Sequence, residues 1–264
     1  MVVSITEENV SREQRRRRLG ALVVDRGFLR VADASVELGV SDVTLRGDLS
    51  ALELAGTIVR VHGGAMPAVA AESRLETSID RDAAAKRHIG RAAARLVSSG
   101  QSIYVDAGST AMALAHALVE RRDLRDLVVV TSGLTIALAL EPALPRFTVV
   151  VTGGTLRPLQ HSLVNPFAAP MLDALRLDIA FIGCNGVHPQ HGVTNVNLPE
   201  AEIKTRVLHS SARHVVMADA SKLGRTEVAV IAPVAAFDIL VTAGDYPAGF
   251  DLGITVERAD RLEA

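Results

Sequence analysis

The segment SDVTLRGDLSALELAGTIVRVHGGAM, Ser41 to Met66, holds a helix, its stop signal and a strand in immediate succession. Ser41 can accept from the free backbone N–H groups of a first helical turn. Leu45, Leu49 and Leu52 then fall on one buried stripe, and Gly56 supplies a left-handed stop. After it, Thr57-Ile58-Val59-Arg60-Val61-His62 is β-branched and alternating until Gly63-Gly64, the pattern of a small β-wing. Upstream, Ser11 with Gln14 forms a capping-box pattern that opens a first helix carrying Leu19, Leu22 and Val23 and ending near Gly27. Ala32 to Leu38 reads as a second short helix, with Ala34, Val36 and Leu38 partly inward and Gly39 just past its end. The expected head, residues 1–66, is therefore a winged helix-turn-helix.

In such a head the second helix of the pair lies in the DNA major groove and reads base edges with its N-terminal residues. Arg46 is placed to bond guanine O6 and N7 together, while Ser41 and Thr44 suit phosphate or sugar. Arg60 and His62 project from the wing toward the backbone or minor groove. Arg15, within the run Arg15 to Arg18, adds a phosphate contact from the first helix. The same periodicity would also suit a three-helix cap, and a charge run can be a plain solvated face. A net charge of −2 does not by itself favour nucleic acid.

The remaining chain changes character. Residues 67–77 are Ala-rich and polar with little period and read as a linker, leaving 78–264 as a second domain. Asp80 to Ser99 has helical spacing. Short apolar runs follow at Ser102 to Val105, Leu127 to Thr131, Phe147 to Val151, Ile179 to Ile182, His214 to Met217 and Ile239 to Thr242. Helices are expected between them at Ala111 to Val119, Leu134 to Leu140, Phe167 to Leu175 and Glu200 to Ser211. That alternation predicts a mostly parallel α/β domain with helices on both faces. Composition agrees: 48% hydrophobic residues with only 3% aromatics and no Trp give an aliphatic core. One cysteine, Cys184, excludes an intramolecular disulfide framework and fits a reducing compartment. Met1 to Val10 is unlike a secretory signal and no apolar run reaches about 18 residues, so a cytoplasmic location without membrane contact is expected.

In a parallel sheet the loops after successive strands line one edge, where open α/β folds bind ligands. Here they are Asp106-Ala107-Gly108-Ser109-Thr110, Thr131-Ser132-Gly133, Thr152-Gly153-Gly154-Thr155, Gly183-Cys184-Asn185-Gly186 and Asp219 to Arg225. The first runs into a helix N-terminus, which offers N–H groups to an anion, although Gly, Ser and Thr there can also be simple caps. Glu200 and Lys204 share a helix face, either as a surface ion pair or with Lys204 free for a phosphate. Lys222 and Arg225 are further cations. His188-Pro-Gln-His191 reads as a turn rather than a metal site, Cys184 as a small buried residue and His116 as packed.

The Ser41 to Met66 segment closely resembles the N-terminal signature of the DeoR family of bacterial regulators, and the later motifs resemble that family's sensor domain. The family has two adjacent arginines in the recognition helix; Arg46 matches the first and Gly47 replaces the second, which implies a shifted operator preference. The resemblance implies a sensor similar in fold to ribose-5-phosphate isomerase, answering to sugar phosphates without a cofactor or metal. Its pocket would be lined by Asp106 to Thr110, including Gly108 and Ser109, with Thr131, Ser132, Gly153, Gly154, Asn185, Lys204 and Lys222. Ser132 stands where the family usually has asparagine, and Asn165 where it has glycine. The implied partners are double-stranded operator DNA, a phosphorylated sugar and further copies of the chain, as a dimer or tetramer. The expected function is transcriptional regulation, as a repressor of carbohydrate-metabolism genes. The rival classes are a sugar-phosphate isomerase-like enzyme using Asp106, Glu202 and Lys204, and a protein-docking module.

Overall fold

A computed structural model describes residues 3–26, 29–54, 57–61, 63–67 and 74–259. The chain divides into two compact units, Met1–Glu72 and Ser73–Ala264. In the first, α1 (Val3–Arg26), β1 (Leu29–Arg30), α2 (Val31–Leu38), α3 (Asp42–Leu54), β2 (Ile58–Val61) and β3 (Gly64–Pro67) build a winged helix. Leu19 and Val23 of α1, Ala34 of α2, Leu45 and Leu49 of α3, and Ile58 of β2 form its core. Gly39 ends α2 at φ 65°, where its N–H bonds back to helix carbonyls, so the chain turns sharply into α3. Ser41 Oγ accepts from the Thr44 N–H at 3.2 Å and caps α3. β2 and β3 pair antiparallel as the wing, Arg60 opposite Ala65.

Three expectations for this unit change. α1 begins at Val3, so Ser11 and Gln14 lie inside it; residues 3–10 contain no Gly or Pro and include Glu7 and Glu8, which propagate a helix. Val36 is 84% exposed, because the inward stripe of α2 runs Val31, Ala34, Leu38 and Val36 falls off it. β1 was not foreseen: it is two residues long and owes its existence to pairing with β3, Leu29 opposite Ala65. Gly27, Gly56 and His62 lie outside the described residues.

The second unit contains α4 (Leu75–Asp80), α5 (Ala83–Arg95), β4 (Ser102–Val105), α6 (Ser109–Glu120), β5 (Leu127–Thr131), α7 (Leu134–Leu140), β6 (Phe147–Val151), β7 (Thr155–Arg157), β8 (Ser162–Val164), α8 (Ala168–Asp173), β9 (Leu177–Gly183), β10 (Gly186–His188), β11 (Gly192–Asn195), α9 (Leu198–His209), β12 (Ser211–Met217), β13 (Ala229–Ala232), β14 (Ile239–Thr242) and β15 (Thr255–Arg258). Seven of these strands form a sheet in the order β15-β14-β12-β9-β4-β5-β6, parallel throughout, with Ile103 between Val129 and Ile179. Successive residues point to opposite faces. Ile103, Val105, Val129, Phe181 and Val215 meet α5, α6 and α7, while Tyr104, Val130, Ile182 and Val216 meet α8 and α9. The chain fills the sheet from β4 outward to β6, then returns to place β9 on the other side of β4. The β4–β9 boundary is thus the point where strand order reverses, the place where open α/β folds bind ligands at the carboxyl ends of their strands.

The segment read as a linker through residue 77 is helical from Leu75, because Leu75 is buried and its N–H bonds the Leu159 carbonyl. Pro67, read as its first residue, closes β3, and residues 68–73 lie outside the described set. The helix expected over Asp80 to Ser99 is α5, shorter at both ends; α4 ends at Asp80, and Asp82 at φ 52° separates the two. The short strands β7, β8, β10, β11, β13 and β15 were not anticipated.

α5 and α6 cross in contact at Gly90, where a Cβ would lie 2.5–2.8 Å from the backbone of Ala113 and Leu114. Gly90→Ala is expected to force these helices apart and lower sensor stability by about 1–3 kcal/mol, read as a lower urea midpoint with an unchanged slope.

Candidate functional site

On the winged head, α3 presents Ser41, Thr44 and Arg46 to solvent. The Ser41 and Thr44 hydroxyls lie 3.0 Å apart at the helix start. Arg60 reaches from β2 to the same helix: its guanidinium donates to Ser50 Oγ at 2.8 Å and its backbone N–H to Glu53 at 3.0 Å. Ser50 Oγ in turn donates to the Arg46 carbonyl. The structure therefore brings Ser41, Thr44, Arg46 and Arg60 to one helix and its adjoining wing.

Arg15 has a different setting. Its Nε meets Asp48 Oδ2 at 2.6 Å, and Arg16 Nε meets Asp48 Oδ1 at 2.9 Å, tying α1 to α3. Asp48 is buried, and the sequence reading missed it; its signal was a carboxylate on the inward stripe between Leu45 and Leu49. Burial alone would raise this carboxyl, but the two guanidinium groups outweigh it and hold it below the ordinary aspartate value.

At the sheet edge, Asp106 follows β4 and Lys204 projects from α9, both buried, with Nζ 3.0 Å from Oδ2. Lys204 also donates to the Gly183 carbonyl at 2.9 Å and Asn195 Oδ1 at 3.2 Å, which uses all three ammonium protons. Asp106 Oδ2 accepts the Gly183 N–H at 2.9 Å. One ion pair thus spans β4, β9 and α9 at the switch point. Burial opposes the charge on Lys204, yet Asp106 and Glu200 hold its pKa above the ordinary lysine value.

Glu200 and Lys204 do not form the surface pair considered from sequence, since both are buried. Glu200 accepts from Ser162 Oγ at 2.5 Å and pairs with Arg157, so the β7–β8 hairpin is bound to the start of α9. Burial works against its ionised form, but Lys204, Ser162 and Arg157 hold it below the ordinary glutamate value. Arg157, Ser162 and Tyr104 were missed because their partners are remote in sequence; Asn195, which meets Glu200 and Lys204 within nine positions, was missed because it lies on a short strand without a motif of its own. Tyr104 Oη and Ser132 Oγ lie 2.8 Å apart.

Gly108 precedes α6 at φ 104°, with Ser109 and Thr110 in the first turn. Thr131 Oγ1 accepts the Gly133 N–H, and Asn185 Oδ1 the Val196 N–H, so both shape loops. Gly153 is exposed, and Gly154 sits at φ 142° where a Cβ would overlap the Val164 carbonyl. Lys222 is half-buried with Nζ 3.8 Å from Asp219. The sites lie along the edge from β6 to β12, roughly 19 Å at about 4.8 Å per strand, with Asp106, Thr110 and Lys204 near its middle. Buried hydroxyls of Thr110 and Thr152 on this edge, and of Thr242 at the end of the next strand, β14, have no hydrogen-bond partner among the described residues. A buried donor left unpaired costs about 1–3 kcal/mol, so these groups fit a site completed by a polar ligand or water.

Elsewhere, His116 is exposed rather than packed, lying on the α6 face turned away from the core. His188 Nδ1 accepts the N–H groups of Gln190 and His191, which makes a turn. Cys184 is buried, which pushes its thiol up to about 11. Among the described residues no group of three or more His, Cys, Asp or Glu is arranged to hold a metal, and no helix is long and apolar enough to cross a membrane.

Asp48→Ala is expected to destabilise the winged head by about 1.5–3 kcal/mol at neutral pH. Because the folded pKa is lowered, the stabilisation is complete above the unfolded value near 3.8 and fades as pH falls through the folded value. Urea unfolding of wild type and variant should therefore converge in acid. At the sheet edge, Lys204→Met strands Asp106 and should cost about 3–5 kcal/mol, whereas Asp106→Leu with Lys204→Met should cost less than the summed singles. An additive double-mutant cycle would refute the pair as a unit.

Comparison with known proteins covers both units. A DeoR-like helix-turn-helix domain model matches residues 15–68, and a DeoR C terminal sensor domain model matches residues 81–244. The chain is similar to the HTH-type transcriptional regulator GlpR of Haloferax volcanii, with 33% identity over 237 residues, 89% of this chain and 91% of that protein. It is 29% identical over 238 residues to a glycerol-3-phosphate regulon repressor of Haemophilus influenzae, covering 89% of this chain and 90% of that one. A solved ribose 5-phosphate isomerase A from Methanocaldococcus jannaschii is more distant, with 20% identity, a TM-score of 0.38 and coverage of 52% of this chain and 53% of that one. With a family helix-turn-helix at one end and the family sensor over most of the remainder, the chain belongs to the DeoR family of transcriptional regulators.

Proposed function

We propose that this regulator is a cytoplasmic repressor of carbohydrate-metabolism genes, and that a phosphorylated sugar bound at the carboxyl ends of β4 and β9 changes its affinity for operator DNA. The observation that carries the ligand reading is the unpartnered Thr110 hydroxyl in the first turn of α6, beside the buried Asp106–Lys204 pair. The free N–H groups of that turn suit a phosphate, and the threonine hydroxyl completes its coordination. Lys204 serves this site by fixing Asp106 and Asn195, since its own protons are already engaged. Relatives named as regulators, one of them for a glycerol-3-phosphate regulon, support the same ligand class.

The reading needs no cofactor and no catalysis. A sugar-phosphate isomerase would require a carboxylate free to take a proton from carbon, and Asp106 is held by Lys204 and the Gly183 N–H. At least two copies are expected to act together, because two-fold operators present two half-sites.

The test is fluorescence anisotropy on the DNA upstream of the protein's own gene, across a salt series, with and without a panel of sugar phosphates. Sequence-selective binding with a steep salt dependence, shifted about 5- to 150-fold by one phosphate, is the expected result. Thr110→Val should weaken the ligand response while leaving ligand-free DNA binding unchanged. Selective binding indifferent to the whole panel would remove the ligand assignment, and isomerisation of a panel member would establish the enzyme reading instead.

A further inference from the structure

The stripe of α3 opposite its buried residues is Val43, Arg46, Gly47 and Ser50, spaced as one helix face. Arg46 and Ser50 are polar, and the guanidinium of Arg60 sits on Ser50. Val43 breaks the pattern: it is apolar, in the first turn, and 80% exposed. Gly47, one turn further on, explains why nothing covers it, since this position carries no side chain and a Cβ there would have open space around it. Among the described side chains of the head, two other apolar residues, Val36 and Leu54, are as exposed, but Val36 is on α2 and Leu54 at the far end of α3. Only Val43 of the three shares the turn with Ser41 and Thr44.

We infer that Val43 is a specificity-determining residue that packs on the 5-methyl group of a thymine in each operator half-site, next to the base pair contacted by Arg46. This rests on the DNA-binding reading and deepens it. A major groove displays one apolar feature, the thymine methyl, and an exposed apolar side chain at the N-terminal end of a recognition helix is the complement to it. The neighbouring Ser41 and Thr44 hydroxyls bond each other across the helix start, which leaves Val43 as the group of this turn with no polar function.

The test starts from random duplex DNA selected with the full-length protein and with Val43→Ala. Alanine is a better helix former than valine and the side chain is exposed, so the variant keeps its fold. Each thymine of the selected motif is then replaced by deoxyuridine, which removes only the methyl group, and binding is read by anisotropy. One thymine per half-site should lose about fourfold in affinity for the wild type, the effect of one methyl group's burial. Val43→Ala should bind thymine and uracil duplexes alike and select that position less strictly. Discrimination retained in Val43→Ala, or no methyl-sensitive thymine within a motif the wild type does select, overturns the assignment while leaving DNA binding intact. Failure of the wild type to select any motif removes DNA reading and this inference together.

Discussion

A lysine ammonium and an aspartate carboxylate lie buried together between β4, β9 and α9, and the geometry of the sensor edge depends on them. Bringing two charges out of water costs several kcal/mol each, and their attraction offsets this only when every remaining proton and lone pair is engaged. Here Lys204 reaches Gly183 and Asn195 as well, and Asp106 takes the Gly183 N–H. The pair therefore contributes position more than net stability. It fixes the end of β9 against the end of β4, at the place where strand order reverses.

The head contains a second clamp with a different balance. Asp48 is buried, but Arg15 and Arg16 retain 21% and 36% side-chain exposure. Their guanidinium groups keep much of their hydration while each gives one short bond to the carboxylate. The desolvation cost thus falls mainly on the aspartate, and two charge-assisted bonds outweigh it. The consequence for the arginine run of α1 is a division of labour. Two of its members join α1 to α3, whereas Arg17 pairs with Glu13 on the helix surface.

The central sheet was legible because its strands are continuous aliphatic runs between turn residues: β4, β5, β6 and β14 have the limits that the sequence suggests. β15 was not, since Glu257 and Arg258 interrupt its pattern and its place depends on the parallel register with β14. The hairpins β7–β8 and β10–β11 have three- or four-residue strands, too short for a period to register. In the candidate site the strand-end loops could be read, because a parallel sheet puts them on one edge whatever the helices do. The partners could not: Glu200 meets Arg157 across 43 positions of sequence, and Lys204 meets Asp106 across still more. Helix spacing and family likeness pointed to Lys204, but only the fold shows that its protons are committed.

That commitment decides what kind of chemistry can select a ligand here. A molecule that drew Lys204 toward its own phosphate would leave Asp106 buried without its counter-charge, a loss comparable to the whole affinity of a weak ligand. A molecule that instead supplied acceptors or donors to Thr110, Thr152 or Thr242 would satisfy groups the folded chain leaves unpaired, with no bond broken in exchange. Threonine hydroxyls and the free N–H groups of α6 are neutral, short and fixed by their backbone, so they discriminate by position rather than by charge. A site assembled this way distinguishes ligands of equal charge by where their hydroxyls fall, while the buried ion pair holds the receiving groups in place.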